Sequence, residues 1–116
     1  MTAQTYHARI DDNHTIRLAL RADDTIELDI IYESCDSGSG VTTLYGTGTW
    51  REHTLTITFH TLEDSWWDLP DHGGERDDFF AVSVTMTLER TGLNLTILTS
   101  LPHLRITAPL HLTPTR

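Results

Sequence analysis

The sequence predicts an all-β fold, an eight-stranded antiparallel meander closed as a small β-barrel. Three observations carry this expectation. Apolar and polar residues alternate with period two in segment after segment, the connections are short and turn-like in composition, and no amphipathic helix of useful length could cover a one-sided sheet. Most of the 20 threonines fall on the polar parity, where a β-branched hydroxyl suits a solvated pleat.

Taken in chain order, the inward parities are Tyr6-Ala8-Ile10, Ile16-Leu18-Leu20, Ile26-Leu28-Ile30-Tyr32 and Leu44-Gly46-Gly48-Trp50. They continue as Leu55-Ile57-Phe59, Phe80-Val82-Val84-Met86-Leu88, Leu93-Leu95-Ile97 and Leu104-Ile106-Ala108-Leu110-Leu112. Paired residues must share a face, so parity also restricts the turns. Trp50 and Leu55 require an even loop, met by Glu52-His53, which sets Gly48 opposite Ile57 and Gly46 opposite Phe59. Leu88 and Leu93 likewise ask for an even loop at Thr91-Gly92. Ile10 opposite Ile16 leaves Asp12-Asn13-His14 as a three-residue loop, and Ala22-Asp23-Asp24 serves the next pair, bringing Arg17 across from Asp29 on the outer face. Sequential hairpins close a barrel without long crossovers; a two-layer sandwich is the alternative. The expected domain spans residues 1–116 as one unit.

The pattern breaks over residues 61–78, an acidic, tryptophan-bearing stretch that reads as a loop. Glu63, Asp64, Asp68, Asp71, Glu75, Asp77 and Asp78 stand there against Arg76 alone. Leu62, Trp66 and Leu69 share one face of a short helical turn that Pro70 would end. An indole of Trp66 or Trp67 then either plugs the barrel mouth or forms a lid over a ligand. Asp68 to Glu75 lacks the spacing of a calcium loop.

With 17 acidic residues against 8 basic ones, all Arg, the formal net charge is −9, which argues against nucleic acid as a partner. No apolar run is long enough to span a membrane, and no leader pattern opens the chain, so neither a membrane partner nor export is expected and the location reads as cytoplasmic. The lone cysteine, Cys35, allows neither an internal disulfide nor a thiolate cage, and its acidic neighbours disfavour the thiolate. The seven histidines form no ligand spacing, so no metal is expected. Nucleophile elbows, P-loops and dinucleotide glycines are missing, and no cofactor is implied.

The inward set is almost wholly apolar, and a guest of the barrel would be apolar too. Its expected contacts are Tyr6, Tyr32, Gly46, Gly48, Trp50, Phe59, Trp66, Trp67, Phe80 and Met86, with the two glycines leaving space for something that is not protein. The layout is that of lipocalins and fatty-acid-binding proteins. Gly48-Thr49-Trp50 resembles the lipocalin G-x-W, although it lies in the fourth strand rather than the first, so the likeness extends to layout alone.

The expected function is binding of a small hydrophobic molecule inside the barrel. Any chemistry there would be a cofactor-independent cyclisation or isomerisation, with a tyrosine or a desolvated Asp64 or Asp68 moving a proton. The alternative is an acidic interaction or inhibitor module for a basic partner. Tyr45 and Phe79, with Ile31 and Leu98, are apolar residues on the outer parity and suggest a homodimer surface.

Overall fold

A computed structural model describes residues 4–34, 38–67 and 75–115, and the side chains within them except those at 34, 38, 66, 67 and 75–77. The described residues form β1 (Gln4–Arg9), β2 (His14–Leu20), β3 (Thr25–Ser34), β4 (Gly38–Arg51), β5 (Thr54–Trp67), β6 (Glu75–Thr91), β7 (Asn94–Ile97) and β8 (Leu110–Pro114). A short 3-10 helix (Pro102–Leu104) lies between β7 and β8. Each strand pairs antiparallel with the next and β8 returns to β1, so the sheet is a closed eight-stranded meander barrel and not a sandwich.

Parity drives the closure. Ile16, Leu18, Leu28, Ile57, Leu88 and Leu95 are fully buried from five different strands, and a sheet curled on itself lets one face of all of them leave water. Two hairpins have the register that parity requires. Trp50 faces Leu55 around Glu52-His53, with Glu52 at φ 58°, and Leu20 faces Ile26, which sets Arg17 opposite Asp29.

Two others differ from expectation by one residue pair. β1 places Ala8, not Ile10, opposite Ile16. The Ile10 N–H donates to the His14 carbonyl at 2.9 Å, and the Asp11 carboxylate accepts from the Asn13 backbone N–H at 2.9 Å and is 2.8 Å from His14 Nδ1, so the three-residue loop moves back by one residue to Asp11-Asp12-Asn13. At the other hairpin Thr91 pairs with Asn94, which makes Gly92-Leu93 the turn in place of Thr91-Gly92. Gly92, at φ 63°, occupies its first central position and Leu93 is 82% exposed at the tip. Both changes move the pairing by an even number of residues, so the inward set survives.

The stretch at 61–78 departs further. It is not a loop over that range: β5 continues to Trp67 and β6 starts at Glu75, laddered through Trp67 opposite Glu75. The alternation is hidden by a β-bulge. Gly46 faces Phe59 while Tyr45 faces Thr61, leaving His60 as the extra residue of β5. Inward parity therefore passes from Leu55, Ile57 and Phe59 to Leu62 and Asp64. The expected helical turn of Leu62, Trp66 and Leu69 is strand as far as Trp67, while Asp68, Leu69, Pro70 and Asp71 lie outside the described residues, as does Cys35.

The eighth strand is shorter than the alternation from Leu104 suggests and begins at Leu110. Ahead of it, Leu101 and Ile106 bridge through backbone bonds of 2.9 and 3.1 Å, and the 3-10 helix fills the turn between them. Pro102 lacks an N–H and so suits a first helical turn but not a sheet ladder. Arg105 closes the helix at φ 63°, ψ 24°. Leu101 and Leu104 pack against the core beside fully buried Ile106, placing this turn against one end of the barrel.

The outer face carries a polar ladder. Arg17 donates to Asp29, which also accepts from Thr43, and Tyr45 donates to Glu63 Oε1 at 2.6 Å. Burial, and then the charge of Asp29, pushes the Glu27 carboxyl above its usual range against the pull of Arg21. The Tyr45 phenol is held well above its ordinary value of 10.0, first by its bond to Glu63, then by burial and the nearby carboxylates. Its folded value exceeds its unfolded one, so its contribution is intact below about pH 10 and falls as alkalinity rises beyond that. We expect Tyr45→Phe to flatten the alkaline decline in stability measured by urea denaturation. The phenolate absorbance difference between wild type and variant should appear only when the wild type unfolds.

Candidate functional site

The β4–β5 ladder presents two successive inward levels. Leu44 faces Leu62, and one pleat step further out Thr42 faces Asp64. Residues two apart on a strand share a face and lie roughly 6.5 Å apart, so an apolar level is stacked directly beneath a polar one. The turn around the 3-10 helix meets both levels, because His103 and Leu104 line the cavity at each.

The inner cavity has a volume of about 190 Å³ and is walled by Leu44, Leu62, Val84, Leu101, Pro102 and Leu104, together with His103. The outer recess, also about 190 Å³, is where the chemistry gathers: His14, Tyr32, Thr42, Asp64, His103 and Arg105 line it. The rings of His14 and Tyr32 are 5.0 Å apart at 42°. Asp11 holds His14 through Nδ1 at 2.8 Å, and that bond, with the Asn13 N–H, keeps the Asp11 carboxyl below its usual range. With Nδ1 so engaged, Nε2 is the nitrogen left for other partners. Asp64 accepts a long 3.2 Å bond from the Thr42 hydroxyl. Among the described residues neither Asp64 nor Arg105 forms an ion pair, and no group of three His, Cys, Asp or Glu is placed to hold a metal.

Of the ten residues expected around a guest, Tyr32 lines this site. Tyr6, Phe59 and Met86 are packed in the core, with Tyr6 bonded to Gln4 at 3.3 Å. The glycine positions are not vacant. A methyl group on Gly48 would collide with Ile26 Cδ1 and sit 2.9 Å from Leu55 Cδ1, and one on Gly46 would strike the Thr58 carbonyl. Trp50 is 39% exposed, with the Arg90 guanidinium 4.4 Å from its ring centroid, and Phe80 is 52% exposed. Both have the inward parity, but they lie where the barrel wall does not cover them. Trp66 and Trp67 are on β5 opposite Gly40 and Ser39, and their side chains are outside the description. Asp64 is exposed rather than desolvated. Of the expected partner surface, Phe79 and Leu98 are exposed while Tyr45 and Ile31 are half-buried.

No protein-family model, no curated protein and no solved structure matches this chain. The residues that sequence reasoning missed, Leu62, His103 and Arg105 foremost, lie beyond the His60 bulge or in the 3-10 turn. Pro102 was the available signal for the turn, since its missing N–H interrupts the strand pattern. Nothing in the local composition announced the bulge.

Proposed function

We propose that the protein binds a small apolar molecule at the roofed end of the barrel, not in its bore. The observation that carries this reading is the cavity of about 190 Å³ between Leu44, Leu62 and Val84 on one side and Leu101, Pro102 and Leu104 on the other. An apolar void of roughly 150 Å³ already accepts a benzene-sized guest, so a single ring or a short aliphatic chain matches this space. A wider concavity of about 610 Å³ at β1 and β8 is lined by Gln4, Thr5, Asn94 and Thr113 among others, a more polar wall that favours water over an apolar guest.

Titration with toluene, followed by methyl NMR, is the direct test. Saturable shifts confined to Leu44, Leu62, Val84, Leu101 and Leu104 are expected. Leu104→Gln, which puts an amide into the cavity from a half-buried position, should weaken binding at least about tenfold while leaving the spectrum folded. Absence of saturation, or shifts scattered over the outer face, would overturn the reading.

A further inference from the structure

We propose that the natural ligand is an amphipathic carboxylic acid, its chain in the inner cavity and its head in the outer recess against Arg105. This rests on the apolar-binding reading above and specifies the ligand class of the same site. The two cavities share His103 and Leu104, and the Leu44–Leu62 level is one pleat step from the Thr42–Asp64 level. A molecule with a polar end joined to a short apolar chain spans both.

The sign of the head follows from charge pairing. The chain has 17 acidic residues and 8 arginines, yet Arg105 has no carboxylate partner among the described residues. Its neighbours in the recess include His14 and His103, which add N–H donors. A planar carboxylate is what a guanidinium recognises best, by two parallel N–H···O bonds. Arg105 also sits at φ 63°, a conformation that favours glycine. Asp64 is the opposing charge in the recess, on the β5 wall and, among the described residues, bonded only to the Thr42 hydroxyl. It weakens a carboxylate and would attract an amine.

Hexanoate, hexanol and hexylamine, titrated in parallel by calorimetry, separate these contributions because their chains are the same. Hexanoate should bind about tenfold tighter than hexanol, the gain of one charge-assisted pair. Arg105→Gln should bring hexanoate down to the level of hexanol without changing hexanol. Arg105→Gly should do the same while leaving thermal stability equal or raised, since glycine accepts the backbone angle, and a loss of binding there cannot be ascribed to misfolding. Asp64→Asn should tighten hexanoate. Equal affinities for hexanoate and hexanol overturn the carboxylate assignment and leave apolar binding standing. A preference for hexylamine that Asp64→Asn abolishes overturns it in favour of a cationic head. Failure of all three probes to bind overturns the underlying reading too.

Discussion

Gly46→Ala is expected to destabilise the protein by at least about 3 kcal/mol, the top of the usual range for overpacking. A β-carbon at this position would strike the Thr58 carbonyl oxygen and lie 2.7 Å from Phe59 Cα and 2.8 Å from the Thr58 carbonyl carbon. All three are backbone atoms, so no rotamer change relieves the clash. Relief requires moving β5 at the place where His60 is inserted, and that bulge decides which side chains of the outer half of β5 face inward. Gly48→Ala supplies the control. Its β-carbon meets Ile26 and Leu55, both through terminal methyl groups, and repacking should hold the cost to about 1–2 kcal/mol. Urea denaturation of the two variants measures the difference. Equal midpoints would mean that the close approach at Gly46 is not what fixes the bulge.

The same bulge explains where sequence reading succeeds and where it stops. Strand faces were legible because burial imposes a period of two, and a shift by one residue would bury Thr and Arg; this is why Arg17 opposite Asp29, and the Glu52-His53 turn, follow from alternation alone. Parity is local, however. A single inserted residue at His60 reverses it, so Leu62 and Asp64 read as part of a loop although they continue a strand. Parity also reports the face of a residue and not its depth. Phe80 shares the parity of fully buried Met86, but β7 pairs with β6 only from Leu88 to Thr91, so Phe80, opposite Leu62 of β5, has no β7 residue on its other side among the described residues. Trp50 is in the same position at the opposite end of β4, next to a hairpin turn, where Arg90 covers its ring. Likewise the candidate site is assembled from β2, β3, β4, β5 and the 3-10 turn, a convergence set by the closed topology that no segment carries by itself.

Arg17→Ala should cost about 3 kcal/mol at neutral pH, whereas Asp29→Asn should cost about 1 kcal/mol. The pair is asymmetric in solvent. The Asp29 side chain is 6% exposed and that of Arg17 is 52% exposed. Arg17 donates to Asp29 Oδ2 from Nε at 3.1 Å and Nη2 at 2.7 Å, while Thr43 donates to Oδ1 at 2.8 Å. Removing Arg17 leaves a buried carboxylate with one hydroxyl for company, close to the charge of Glu27. Removing the charge at Asp29 instead leaves a guanidinium that is already half in water, with an amide oxygen still able to accept from it and from Thr43. The double variant should therefore be more stable than Arg17→Ala alone, because the stranded charge is gone. A double-mutant cycle by urea denaturation tests this. Equal costs for the two single variants would show that water reaches Asp29 as freely as Arg17, and that burial of the acid is not what makes this ion pair matter.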